Sequence, residues 1–343
     1  MATTNHLTCL CGAVTEPATL LSSDELPLEC VMCHCNTCRQ QTGALAVSYL
    51  KLRAPPSEKS LDNVTAYETS RYERYFCKVC GCNVFGHDKT TGGWSACSGT
   101  LEAETKPAKG KNVSNIKSHI YVGDPFEGGI APYLTRIADV EVPCWQTEPG
   151  EDQGPIKQEK LLGLREKASK ASSTARDEMM QVACHCGDVS LRITPPPYDE
   201  HSEDWYIGSD HSRYYARLCC CRSCRLTLGL TMQPWTYVPP AQIYTDDMQP
   251  VMFGPEAQEV VQIKALKHYQ SSDSVLRSFC STCGATIFYQ SFERPYVIDV
   301  SVGVIRSTFG NALVGEWLEW DRKMVSKRDE AVDEELIQAW LQA

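Results

Sequence analysis

Cysteine spacing constrains this chain more than any other feature. Most of its 19 cysteines fall in three short clusters, and the same three clusters occur twice along the 343 residues. The first set reads CLCG at 9–12, CHCNTCR at 33–39 and FCKVCG at 76–81, and the second reads CHCG at 184–187, CCCRSCR at 219–225 and FCSTCG at 279–284. Because order, internal spacing and flanking residues all agree, we interpret the pattern as an internal duplication.

The duplication predicts two domains joined by a linker. We place the first domain at residues 1–145, a polar linker with a helical pattern at 146–178, and the second domain at 179–343. The clusters are farther apart in the second copy. One insert, residues 193–212, is rich in proline and polar residues, which predicts a surface loop.

Short runs of branched and aromatic residues flank the clusters and predict strands. These runs lie at 44–52, 74–77, 118–124 and 295–302. The last residues predict a helix with Val332, Leu336, Ile337 and Trp340 on one side, which we expect to cover part of the second core. The predicted fold class is mainly β: two tandem zinc-binding β domains with a helical linker and a C-terminal helix.

The outer clusters of each copy predict a structural zinc site. Tetrahedral structural zinc takes four thiolates, commonly as two chelating pairs from distant parts of the chain. Pairing the first and third clusters closes a long loop, so bound metal would contribute to the folding free energy. The predicted ligands are Cys9, Cys11, Cys77 and Cys80 in the first copy, and Cys184, Cys186, Cys280 and Cys283 in the second.

The middle clusters leave three cysteines per copy for a second zinc: Cys33, Cys35 and Cys38, then Cys219, Cys221 and Cys224. Three protein ligands with an open fourth position are the arrangement of a catalytic zinc. Two alternatives stay open. A fourth protein ligand, such as His34 or an unassigned cysteine, would make the site structural, and the same thiolates could hold an iron–sulfur cluster.

Net charge argues against one broad class of partner. The formal net charge is −10 and no lysine- or arginine-rich block occurs, so we expect no nucleic acid bound through phosphate neutralisation. No apolar run reaches membrane-spanning length, and the first residues lack the pattern of a signal peptide. We therefore expect an intracellular protein without a membrane partner, in the cytoplasm, with a nuclear location left open. Disulfides are disfavoured in such a compartment.

The combined pattern resembles a known family. C-x-C-G, C-H-C-x-x-C-R and F-C-x-x-C-G are similar to the motifs of the glutathione-dependent formaldehyde-activating enzymes, whose fold is shared with centromere protein V. The resemblance implies a β-rich, Mss4-like fold in each copy, with a four-cysteine structural zinc and a second zinc at the triplet. The chain departs from the simplest members in being tandem, and Cys220 replaces the middle histidine in the second copy.

The resemblance also implies carbon–sulfur chemistry, the condensation of glutathione with formaldehyde to S-hydroxymethylglutathione. We accordingly expect a zinc-dependent carbon–sulfur lyase that acts on a glutathione or other thiol adduct of formaldehyde or another small electrophile, with both triplets catalytic. Arg39 and Arg225, directly after the triplets, are candidates for offsetting the negative charge of the cysteines or for binding a substrate carboxylate. One alternative is a non-catalytic zinc-binding interaction module whose metals are structural only. Another is a chain in which one copy is catalytic and the other is a scaffold.

Overall fold

The computed structural model describes residues 5–22, 26–102, 112–150, 154–171 and 176–343. Within these ranges no helix combines the length and apolarity that crossing a membrane requires. All 19 cysteines lie in the described ranges, and every one is a free thiol.

The first half consists of short strands with few helices, in this order: β1 (His6–Thr8), β2 (Thr15–Pro17), β3 (Leu28–Cys33), α1 (Asn36–Thr42), β4 (Val47–Lys51), α2 (Glu58–Leu61), β5 (Val64–Glu68), β6 (Tyr72–Cys77), β7 (Asn83–Asp88), β8 (Trp94–Cys97), β9 (Leu101–Glu102), β10 (Ser114–Ile120), β11 (Arg136–Ile137), β12 (Val140–Glu141) and α3 (Gln158–Ala171).

The second half repeats that composition: β13 (Met180–Ala183), β14 (Ser190–Ile193), β15 (Tyr214–Cys219), α4 (Arg222–Leu228), β16 (Gln233–Val238), β17 (Ile243–Thr245), β18 (Leu266–Ser272), β19 (Val275–Cys280), β20 (Thr286–Ser291), β21 (Ile298–Ser301), β22 (Ile305–Arg306), β23 (Leu318–Trp320) and α5 (Glu334–Gln342).

Both halves arrange their strands in the same order. The main sheet of the first half runs β10-β3-β4-β8-β7-β6-β5, and that of the second runs β23-β15-β16-β21-β20-β19-β18. In each sheet the first pair is parallel and the following pairs are antiparallel. A smaller sheet built around β1 or β13 completes each half. The fold is therefore mainly β and is built twice.

Helices α1 and α4 begin and end in the same way. Each is capped at its start by a cysteine: the Cys35 sulfur accepts from the Cys38 N–H at 3.2 Å, and the Cys221 sulfur accepts from the Cys224 N–H at 3.4 Å. Each ends at a glycine in the left-handed region, Gly43 with φ 90° or Gly229 with φ 79°, a conformation that glycine adopts without strain.

The two halves pack on each other through these helix ends. The Gly303 N–H donates to the Gly43 carbonyl at 2.9 Å, and the Gly99 N–H donates to the Gly229 carbonyl at 2.8 Å. One hydrophobic core includes buried residues of both halves. The molecule therefore contains a pseudo-two-fold interface within one chain.

The predicted strands are confirmed, since β4, β6, β10 and β21 overlap the four β-rich runs. The insert at 193–212 contains neither helix nor strand beyond the last residue of β14. The C-terminal helix differs in one respect. It starts at Glu334, so Val332 lies outside it, and the Trp340 ring contacts both Tyr133 of the first half and Trp320 of the second. It bridges the two halves and does more than cover the second core.

Candidate metal centres and active site

The outer cysteine pairs meet in each half, as the spacing predicts. In the first half the Cys11 sulfur lies 3.5 Å from those of Cys9 and Cys77. In the second, the Cys186 sulfur lies 3.4 Å from that of Cys184 and 3.6 Å from that of Cys280. Each group of four has all its sulfurs within 4.8 Å of one another; the members are Cys9, Cys11, Cys77 and Cys80, and Cys184, Cys186, Cys280 and Cys283.

These sulfur separations fit a metal ion. Two thiolates bound at about 2.3 Å to a tetrahedral zinc lie roughly 3.8 Å apart, close to the separations in both groups. The chain supports the positions, because the Val14 N–H donates to the Cys9 sulfur at 3.3 Å and the Val189 N–H donates to the Cys184 sulfur at 3.4 Å. Four buried or half-buried thiols without disulfides are the donor set of a structural zinc.

The middle clusters form the second pair of sites. Cys33 ends β3 and Cys38 lies in the first turn of α1, with their sulfurs 3.6 Å apart. In both triplets the sulfurs all lie within 4.8 Å of one another. Cys35 and Cys221 are half-buried and the other four sulfurs are buried. The middle cysteine is therefore the most exposed member of each triplet.

A buried arginine contacts each triplet, and sequence reasoning missed both. Arg74 Nη2 lies 3.4 Å from the Cys38 sulfur, and Arg277 Nη2 lies 3.6 Å from the Cys224 sulfur. Arg277 is only 1% exposed. Both occupy the same place in the repeated motif R-x-F-C, at 74–77 and 277–280. That shared arginine was the available signal.

A second donor lies on the neighbouring strand of each half. Tyr49 Oη lies 3.5 Å from the Cys38 sulfur, and Trp235 Nε1 donates to the Cys224 sulfur at 3.4 Å. The two residues are equivalent by register, because β3 pairs Val31 with Tyr49 as β15 pairs Arg217 with Trp235. Each triplet thus receives one cationic and one neutral donor.

Negative charge concentrates on one sulfur of each triplet, because the other thiols have raised pKa values. Hydrogen bonds from Cys33 and Cys35, aided by the Arg74 guanidinium, hold the pKa of Cys38 well below its usual range. Hydrogen bonds from Cys219 and Cys224 likewise lower the pKa of Cys221. The remaining thiols release their protons when a cation binds, which makes metal affinity depend on pH.

The suggested fourth protein ligands lie elsewhere in the described chain. The fully buried His34 ring places Nε2 3.0 Å from Nδ1 of His119, whose Nε2 in turn lies 3.0 Å from the Leu134 carbonyl oxygen. If His119 Nε2–H donates to that carbonyl, His119 Nδ1 is an acceptor and His34 Nε2–H donates to it. His34 is then hydrogen-bonded to His119 through Nε2. Within the described residues, the metal-type group at each triplet contains three cysteines and no further His, Cys, Asp or Glu. The unassigned cysteines, all buried, are Cys30, Cys82, Cys97, Cys144 and Cys220.

Arg225 binds across the interface between the halves, whereas Arg39 is buried and bonds within α1. Arg225 Nη1 donates to the carbonyls of Gly99 at 2.6 Å and Leu101 at 2.8 Å, and Nη2 pairs with Glu102 at 2.5 Å. Burial lowers the pKa of Arg39, whose Nη2 donates to Asn36 at 2.7 Å. The Arg225 contacts tie the two halves together, and the substrate-binding role of both arginines stays a prediction.

The fold and the sites define a class of protein: a duplicated, β-rich chain in which each half contains one group of four cysteines and one group of three that could hold a metal ion. The family model "Glutathione-dependent formaldehyde-activating enzyme" matches residues 4–123 and 207–314. These segments cover more than half of the chain and include both triplets. The chain belongs to that family, whose activity is enzymatic.

Two further comparisons add little. A search of curated proteins finds no match. A crystal structure of a Rhodobacter sphaeroides protein aligns over 41% of this chain and 100% of its own, at 20% identity and a TM-score of 0.26. Similarity at that level supports no inference here.

Proposed function

We propose that this protein is a zinc-dependent carbon–sulfur lyase-type enzyme that joins glutathione to formaldehyde or another small electrophile at its triplet sites. One observation carries the proposal. Each triplet gathers three thiols, the middle one half-buried, with a guanidinium hydrogen-bonded to one sulfur. A structural zinc takes four protein ligands, whereas each triplet group contains three among the described residues.

The reaction balances without an oxidant or a reductant. The sulfur–carbon bond forms as the thiol adds across the aldehyde carbonyl, the carbonyl π bond breaks, and the thiol proton ends on the oxygen. A zinc ion held by Cys33, Cys35 and Cys38, or by Cys219, Cys221 and Cys224, would supply a Lewis-acidic position suited to a soft sulfur ligand or an aldehyde oxygen.

The protein residues control charge and access. Arg74 and Arg277 offset the negative charge of the thiolates, which leaves the triplet less repulsive to an incoming anionic thiol. Burial alone would lower the pKa of Arg74, but the Cys38 thiolate raises it. The guanidinium therefore stays charged. Proximity of two bound reactants supplies a large part of the rate advantage in such condensations.

The test follows adduct formation from glutathione and formaldehyde by NMR exchange spectroscopy in the zinc-loaded full chain. We expect formation faster than in buffer, and a loss of at least tenfold in the double variant Cys35→Ser/Cys221→Ser. Cys144→Ser, which changes a buried cysteine outside all four groups, is the matched control. A wild-type rate equal to that in buffer would overturn the proposal.

A further inference from the structure

A stack of alternating cations and aromatic rings leads away from the second triplet. Arg277, which contacts the Cys224 sulfur at 3.6 Å, lies over the Tyr289 ring at 4.8 Å. Arg294 lies over the same ring at 5.2 Å and over the Trp205 ring at 5.4 Å. The stack therefore runs continuously from the thiolates to a tryptophan at the surface.

More aromatic rings widen the outer end of this stack. The Trp205 ring centroid lies 4.9 Å from that of Tyr237 and 5.5 Å from that of Tyr206, and Tyr206 contacts Tyr296 at 5.7 Å. Trp205 is 43% exposed and Tyr296 is 48% exposed. Exposed, clustered aromatic rings beside a reactive centre are typical of a binding surface.

The first half carries a shorter stack, in which Arg74 and Arg71 lie over the Tyr72 ring at 5.4 and 4.9 Å, but Arg71 pairs with Asp88 and Glu148 where Arg294 lies over Trp205. Strand pairing places Tyr289 opposite Arg277, whereas Gly86 stands opposite Arg74. Asp299 lies opposite Tyr237, whereas Ser95 lies opposite Lys51. Trp205 and Tyr206 belong to the insert at 193–212, which the first half lacks. The two triplet sites therefore present different surroundings to a ligand.

The charge of this surface is balanced internally. Arg294 pairs with the buried Asp299 at 2.7 Å. This ion pair balances the charge of Arg294, so the stack attracts a ligand carboxylate only weakly. Arg294 Nη1 is buried and has no hydrogen-bond partner among the described residues. It can donate to a neutral oxygen of a ligand that covers Trp205.

We infer that the second triplet site takes the adduct of a thiol with an aromatic aldehyde, whereas the first takes the adduct of a small aldehyde. The inference rests on the proposed function and names the substrate class of one of its two sites. The ring of the adduct would stack at Trp205, and its hydroxyl oxygen would accept from Arg294. The sulfur–carbon bond forms and the thiol proton moves to the aldehyde oxygen, so no co-reactant is needed.

The test compares the binding of two stable probes, S-benzylglutathione and S-methylglutathione, to the zinc-loaded full chain by calorimetry. We expect the benzyl probe to bind about tenfold more tightly, as one aromatic stacking contact provides. Trp205→Ala should abolish this preference, and Trp205→Phe should retain most of it. Phe126→Ala removes another exposed aromatic ring, 53% exposed and away from the stack, and should leave the preference unchanged.

Equal binding of the two probes by the wild type, or a preference that survives Trp205→Ala, would overturn the inference. Binding is measured without turnover. An inactive protein that keeps a Trp205-dependent preference would therefore support this inference while overturning the proposed function.

Discussion

At the scale of single residues, the sites depend on polar groups that are buried with their partners. Arg277 is almost completely buried, and its partners include the Cys224 sulfur and the hydroxyl of Ser223, to which Nη2 donates at 2.8 Å. A buried guanidinium is costly unless it is paired. Arg277 therefore favours the thiolate form of Cys224, and that thiolate favours the guanidinium, although the Cys221 hydrogen bond and burial leave the pKa of Cys224 raised.

Arg277→Gln tests this mutual dependence. Loss of the cation leaves the thiolate charge uncompensated, and substitutions of residues that support metal ligands commonly weaken metal affinity by about 10- to 100-fold. Competition with a chromophoric chelator measures the affinity of the second triplet for zinc. Arg192→Gln, at an exposed ion pair with Asp246, is the control. An unchanged zinc affinity in Arg277→Gln would contradict this role.

His119 makes stability depend on pH. Burial lowers its pKa to about 4, against about 6.5 in an unfolded chain. Between these values the unfolded chain binds a proton that the folded chain does not, so the free energy of unfolding falls as pH falls. His119 should account for about 2 kcal/mol of that decrease between pH 7.5 and pH 5.

Urea denaturation at both pH values measures the effect. His119→Gln should lose less stability than the wild type over this interval by about that amount. His201→Gln, at an exposed histidine, should keep the wild-type dependence. The same decrease in all three proteins would contradict the assignment to His119.

At the scale of secondary-structure elements, the ends of α1 and α4 serve two purposes. The left-handed glycine ends each helix, and its missing side chain lets the other half approach. A Cβ on Gly43 would lie 2.5 Å from Ser301 Oγ, and one on Gly229 would lie 2.8 Å from Cys97 Cβ. The glycine that is repeated after each triplet thus marks both a helix end and a contact surface.

Gly229→Ala should destabilise the protein by about 2–5 kcal/mol, because a left-handed alanine costs roughly 1–2 kcal/mol and overpacking adds about 1–3. Gly92→Ala is a matched control, since Gly92 has φ +71° and open space around it. Only the cost of the backbone conformation should appear there. Chemical denaturation compares the two variants, and equal losses would contradict the close approach at Gly229.

Sequence reasoning found the cysteine groups because ligand spacing is local and repeats. It missed Arg74 and Arg277 because the repeated R-x-F-C motif shows that the arginine recurs but not which group it faces. It predicted substrate binding by Arg225 from the position of this residue next to a triplet. Adjacency in sequence does not show where a side chain points, and the structure directs Arg225 to carbonyls of the other half. Interfaces depend on the fit of two surfaces, which no motif records.

At the scale of the whole molecule, the halves are coupled through their four-cysteine groups. Gln41 Nε2 donates to the Cys283 carbonyl at 2.7 Å, and Tyr67 Oη lies 2.6 Å from Nδ1 of His185. The ring of Phe76, beside Cys77, meets that of Phe279, beside Cys280, at 6.4 Å. Residues in and beside the four-cysteine group of one half therefore contact residues of the other.

Cys80→Ser should consequently loosen both halves. We expect amide hydrogen exchange to speed up in β6 and β7, which flank the altered site, and also in β19 and β20 across the interface. Cys144→Ser provides the control, since Cys144 belongs to no metal-type group. Wild-type protection of β19 and β20 in Cys80→Ser would show that the halves unfold independently.

The central claim is that each half holds one closed four-cysteine site and one open three-cysteine site, and zinc stoichiometry by native mass spectrometry tests it most directly. The account predicts four zinc ions in the wild type. It predicts three in Cys35→Ser and in Cys221→Ser, each with wild-type circular dichroism. Two zinc ions in the wild type, or unfolding of both variants, would contradict it.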